Sequence, residues 1–273
     1  MNMIRGLNVQ TCRPSVLLVG AIDFHEFRGA VGWLRAHTQL DAVRTVAEAV
    51  ERCENRQADW HTIVVAQSRP GEFVQRDVDQ LSRTMPLAQL IALLGSCCEG
   101  ETRSGRPWPG VVRVYWHQFV ARAATELRRD DTATSWQLPR TASDAERTDH
   151  ALRERPQRAE GLIAICTNQA VFFDALASAC RVAGYSSVWT SSERWPSAQD
   201  AVALLWHGQL RADSEFQQLQ RLTARSPQTP LIVLLGFPRY DHVQRATAAG
   251  AAAVLPIPLQ LSDLWNTLRD VTR

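Results

Sequence analysis

The chain has 273 residues, 45% of them hydrophobic, and a formal net charge of +2. The length suits about two domains of ordinary size, each able to bury a core without disulfide staples. The near balance of acids and bases gives no bulk-charge argument for nucleic acid or a membrane surface, and no stretch approaches the roughly 20 apolar residues of a spanning helix.

Every basic side chain is arginine; lysine is absent. That excludes a P-loop lysine, a Schiff-base lysine and a Ser-Lys dyad, because arginine does not release its proton near neutral pH. The six cysteines, at positions 12, 53, 97, 98, 166 and 180, form no CxxC pair and no zinc-ribbon spacing. Such scattered thiols fit a reducing cytoplasm. Residues 1–14 are polar, without an apolar signal core, and read as a disordered lead-in.

In chain order, Ser15–Val19 reads as a buried strand, and Phe24–Ala36 as a helix with Phe24, Phe27, Val31 and Leu34 on one face. Ala42–Val46 reads as a strand, Ala47–Cys53 as a helix, Thr62–Ala66 as a strand and Val74–Arg83 as a helix. Leu90–Leu94 and Val111–Tyr115 follow as strands, and Phe119–Arg129 as a helix. The second half repeats the order. Strands are expected at Leu162–Ile165, Ser187–Trp189, Ala201–Leu205, Leu231–Leu234 and Ala252–Leu255, and helices at Ala170–Ala183, Glu215–Ala224, His242–Ala249 and Leu261–Val271. Apolar strands alternating with helices indicate parallel sheets covered on both faces, and the repetition indicates a duplicated domain. The expected division is residues 15–128, a linker at 129–159, and residues 160–273. The linker is polar except for Trp136-Gln137-Leu138-Pro139, which is either a strap packed on a domain or a docking peptide.

The run Thr229-Pro230-Leu231-Ile232-Val233-Leu234-Leu235-Gly236, then Ala249-Gly250-Ala251, then Leu255-Pro256-Ile257-Pro258-Leu259, resembles the end of a response-regulator receiver domain. The motifs cover about half of the second domain; the first domain fits by element order, with Pro86–Leu94 as a weaker echo. The resemblance implies an α/β fold class: two flavodoxin-like, three-layer domains, each with a five-stranded parallel sheet ordered 2-1-3-4-5. It also implies missing chemistry. The metal-holding acidic pair of receivers maps to Cys166 and Thr167 in the second domain, and to Gly20 and Ala21 in the first. The phospho-accepting aspartate maps to Leu205 or Trp206 and to Ala66, the Ser/Thr to Leu235 and Leu94, the lysine to Ile257 and His117, and the aromatic switch to Val254. Asp23 is one shifted acid with no acceptor opposite it. Apolar side chains have no group to phosphorylate. Receivers dock partners through the fourth helix and fifth strand, which places a surface at His242–Ala249 and Val254–Leu259.

The segment from Gly95 to Gly110 stands where a receiver has its fourth helix, and its glycines and prolines disfavour a long one. Four readings apply to it. In the plainest it is a structured surface loop, with Trp108 and Trp116 packed down and Arg103 and Arg106 solvated. Cys97, Cys98 and His117 would be metal ligands, though adjacent cysteines diverge. Alternatively a thiol is activated by His117. The favoured reading is a recognition loop, with Arg103, Arg106, Trp108, Trp116 and His117 as contact residues, joined by Phe237 and Tyr240 of the second domain. His207 reads as a structural histidine. No GxGxxG, GxSxG or HExxH occurs. The expectation is a non-enzymatic cytoplasmic adaptor without a cofactor, binding a protein partner or a second copy of itself. Nucleic acid would require the Arg103–Arg129 region without any helix-turn-helix.

Overall fold

The computed structural model describes residues 13–55, 60–99, 101, 105, 107–127, 134–153, 159–190 and 200–272. Each half holds a five-stranded, all-parallel sheet. The first comprises β1 (Ser15–Gly20), β2 (Gln39–Val43), β3 (Thr62–Gln67), β4 (Gln89–Leu94) and β5 (Val112–Tyr115), in the order β2-β1-β3-β4-β5. The second comprises β6 (Leu162–Cys166), β7 (Ser186–Thr190), β8 (Ala201–Gly208), β9 (Leu231–Gly236) and β10 (Ala251–Ile257), in the order β7-β6-β8-β9-β10. Both are the expected 2-1-3-4-5 arrangement.

Strand alternation divides each sheet's side chains between two cores. In the first domain Leu17, Val19, Ile63, Val65, Ala92 and Leu94 face α2 (Val46–Glu54) and α3 (Gln75–Thr84). Val16, Leu18, Val64, Ala66, Leu93 and Val114 face α1 (Arg28–His37) and α4 (Trp116–Glu126). In the second domain α6 (Ala170–Val182) and α9 (Leu261–Val271) cover one face, and α7 (Asp213–Arg225) and α8 (Tyr240–Ala248) the other.

Local chemistry sets the helix ends. Thr45 accepts the Glu48 amide at 3.2 Å, and Glu48 accepts from the Arg44 amide, closing the start of α2. The Glu215 carboxylate gathers the amides of Gln209, Arg211 and Ala212 at the start of α7. This capping moves β2 three residues earlier than the apolar run suggested, because Arg44 and Thr45 belong to the helix entry. Gly184, at φ +97°, ends α6 in a left-handed turn, with Tyr185 N–H donating to the Cys180 carbonyl.

The expected linker carries structure of its own. Trp136, in a 3-10 turn (Ser135–Gln137), is 4% exposed and packs on Phe119 in the first domain's α1/α4 core. It is a strap, and the docking-peptide reading fails because the indole is already buried. Helix α5 (Asp144–Arg153) follows, which the polar sequence did not announce as a helix. Arg147 on α5 donates to the carbonyls of Ser135, Leu138 and Pro139, tying helix to strap.

The two domains meet across α4 and the α8–β10–α9 side of the second domain. Arg122 on α4 donates through Nε and NH2 to both carboxylate oxygens of Asp263, at 2.9–3.2 Å. Both side chains are largely buried. Tyr240 packs against Trp116 and His25, and Val243 joins the first domain's core. The surface that the resemblance offered for docking is therefore covered in part within the chain, with Gln244, Thr247, Ala248 and Pro258 left exposed.

Arg122→Ala strands the Asp263 carboxylate in a buried site, and equilibrium denaturation is expected to show a loss of about 3–5 kcal/mol. The paired change Arg122→Met with Asp263→Leu is expected to recover most of it. Trp136→Ala is expected to cost about 3–5 kcal/mol in the same measurement; wild-type stability would show that the strap is not part of the core.

Candidate functional site

Ligands of open parallel sheets collect at the carboxyl ends of the strands, so the two carboxyl edges are where chemistry would sit. In the first domain that edge is built shut. Gly20 ends β1 at φ +114°, and a Cβ there would lie 2.5 Å from the Ala66 carbonyl oxygen and 2.8 Å from the Phe73 ring. The position where a receiver carries an acid thus has no room for a side chain. Phe73 fills the space, edge-on to Trp108 at 6.4 Å.

Beside it, Gln67 at the end of β3 is 1% exposed and satisfied from several sides. Its amide nitrogen donates to Glu101 Oε1 at 3.4 Å and to Cys98 Sγ at 3.7 Å, and its carbonyl accepts the Phe73 amide at 3.5 Å. Glu101 also pairs with Arg113 NH2 at 3.0 Å. Glu26, itself buried, accepts the Ser96 amide at 2.8 Å and the Ser96 hydroxyl at 2.5 Å, pinning the loop start. The loop then covers the sheet with Cys98, Trp108 and Val111, all within the α2/α3 core.

The expected contact residues fall in different places. Arg103 and Arg106 lie outside the described residues. Trp108 and Trp116 are each 7% exposed and are core residues, which corrects their assignment as partner contacts and agrees with the packed-loop reading; Trp108 belongs to the α2/α3 core and Trp116 to the α1/α4 core. His117 is buried as well, with Nε2 3.5 Å from Glu99 Oε1 and its ring stacked near Tyr115. Tyr240 is spent on the first domain, touching His25 and Trp116. Phe237 is 55% exposed, with a left-handed φ of +45° between Gly236 and Pro238. Of the expected residues it alone combines description, an aromatic side chain and an outward position.

The metal and thiol readings find no geometric support. No cluster of three or more ligand-type residues able to hold a metal occurs among the described residues. His117 lies against Glu99, and no hydrogen bond joins it to either cysteine among the described residues. Cys98 donates to the Gln67 carbonyl, and burial pushes its thiol up to about 11, the reverse of activation. Asp23, the shifted acid, forms a surface ion pair with Arg44.

The second domain's edge is closed by aromatic packing. Cys166 pairs in register with Trp206, whose ring folds over Gly208: a Cβ at Gly208 would meet it at 2.0 Å. Next along the edge, the Thr167 hydroxyl bonds His207 Nδ1 at 3.1 Å and accepts the Gln169 amide. The His207 ring stacks flat on Phe172 at 4.0 Å, and Trp189 Nε1 donates to the Thr167 carbonyl. His207 is thus a partnered structural histidine, with partners from β6 and α6 that sequence separation hid. Burial lowers its pKa, so the folded state takes the proton only below the ordinary value of about 6.5. This contribution to stability is fully present above that value and declines as pH falls through it toward the folded pKa. His207→Gln is expected to flatten that decline relative to wild type, read from urea unfolding between neutral and mildly acidic pH. An unchanged pH profile would show that His207 takes its proton alike in the folded and unfolded states.

No family model matches the chain, and no curated protein does. Among solved structures, a response regulator receiver protein from Pseudoalteromonas atlantica is 22% identical over 40% of this chain and 95% of its own, with a TM-score of 0.37. A pilus assembly-related protein from Burkholderia pseudomallei K96243 is 19% identical over 41% of this chain and 88% of its own, with a TM-score of 0.36. A two-component system response regulator/GGDEF domain protein spans 95% of this chain and 100% of its own, at 12% identity and a TM-score of 0.37. At these levels the strand order carries the assignment: the chain is a tandem of two receiver-like, flavodoxin-type α/β folds, each with a parallel sheet ordered 2-1-3-4-5.

Proposed function

We propose that this protein is a non-enzymatic regulatory adaptor whose two receiver-like domains neither accept nor need a phosphoryl group. The observation that carries this reading is the closure of both carboxyl edges. Where a receiver holds its acids and acceptor, this chain has Gly20 against Phe73, and Ala66, followed by Gln67 held by Glu101 and Cys98. In the second domain Cys166, Thr167 and Trp206 stand there, with Ile257 in the lysine's place. Neither edge offers a carboxylate nucleophile beside a metal-binding pair, so no acyl phosphate forms by that route.

With the switch absent, partner binding is constitutive. A protein partner fits better than nucleic acid, since no strongly basic balance is present at a net charge of +2. No helix among the described residues is long and apolar enough to cross a membrane. The described cysteines are all free, which suits the reducing cytoplasm of a bacterial cell. Docking falls to surfaces the fold leaves open, of which exposed Phe237 is one.

The test is incubation of the full chain with acetyl phosphate and Mg²⁺, followed by intact mass measurement and affinity capture from the host. The expected outcome is no phosphoryl adduct, and the same stoichiometric protein partner captured with or without treatment. A Mg²⁺-dependent adduct, or a partner captured only after treatment, would sink the reading.

A further inference from the structure

Much of the α8–β10–α9 side is taken up by contact with the first domain, and α6, on another surface, has the composition of a self-association face. Its inner face buries Leu176, Ala177, Ala179 and Cys180 against the second sheet. The outer face of a surface helix is normally charged or polar, and a helix apolar all round is normally covered. Here the outward residues are Val171, Asp174, Ala175, Ser178, Arg181 and Val182. Val171 is 81% and Val182 61% exposed. Asp174 and Arg181 are the only charges on the helix, and neither joins an ion pair among the described residues.

The spacing is self-complementary. At about 100° and 1.5 Å per residue, Val171, Ala175, Ser178 and Val182 form one stripe, with Asp174 and Arg181 together on one flank, about 10 Å apart. A twofold axis perpendicular to the helix brings the same flank of both copies together with chain direction reversed. Asp174 then faces the partner's Arg181 at each end, Val171 meets the partner's Val182, and Ala175 with Ser178 lets the backbones approach at the centre. A parallel pairing would put the charged flanks on opposite sides and leave them unmatched. We infer that α6 is the homodimer contact of this protein, pairing antiparallel with α6 of a second copy. The contact is smaller than a standard stable interface, so dissociation in the micromolar range follows. This inference does not depend on the lost phosphotransfer: the α6 stripe lies on the surface of a helix, whereas the closure argument concerns the strand ends.

Sedimentation of the full chain across about two decades of micromolar concentration tests it. A monomer–dimer equilibrium is expected. Asp174→Arg alone and Arg181→Asp alone are each expected to weaken it about tenfold by setting like charges opposite each other at both ends. Combining the two is expected to restore it, because every pair is then reversed. All substituted positions are exposed, and circular dichroism confirms that each variant is folded. A chain that stays monomeric, a dimer indifferent to the single changes, or a double variant no tighter than the singles would overturn the inference. So would a photo-crosslinker at Ser178 that captures a different protein from host extract instead of a second copy.

Discussion

The two halves are held in one arrangement by a buried, two-pronged ion pair. Removing a guanidinium and a carboxylate from water costs several kcal/mol each, and geometry must offset that cost. Arg122 does so by presenting Nε and NH2 to both oxygens of Asp263, the fork arrangement that a lysine would not reproduce. Such a pair tolerates little displacement, so it fixes register between α4 and α9. Around it Tyr240 and Val243 extend the first domain's core into the second. The orientation of the domains follows from this pair together with the packing of Tyr240 and Val243 on the first domain.

The two sheets reach the same closed state by different means. In the first, the segment after β4 brings Glu101 to the largely buried Arg113 and Trp108 to the α2/α3 core. In the second, the edge is sealed by flat stacking of His207 on Phe172 and by the fold of Trp206 over Gly208. Buried polar groups at such an edge are tolerable only when partnered. Gln67 and Thr167, each almost fully buried, meet that condition within the protein.

Much of the architecture was legible because parallel strands covered on both faces read as unbroken apolar runs. The β9 run Leu231–Gly236 is an example, and α9 occupies Leu261–Val271 as expected. Helix α5 was missed because its residues show no apolar period; it is held by Arg147 and its own cap instead. A signal was present: Ser143 and Glu146 form a reciprocal capping box, with Glu146 accepting from the Ser143 amide at 2.7 Å. The strand β8 ran on to Gly208 because Trp206 and His207 find cover from side chains distant in sequence. The partners of His207, Glu101 and Asp263 are long-range facts that no local pattern states. Even so, the absence of acids at the strand ends was readable residue by residue. The filling of that space was not, since it depends on Phe73 crossing over Gly20.

That crossing ties two positions to one another. An acidic residue at position 20 meets a left-handed backbone, a carbonyl oxygen and an aromatic ring at once. Replacing Phe73 alone opens a hole in the core, and replacing Gly20 alone creates a clash. The two positions therefore vary only together: whichever is replaced first, the fold is weakened.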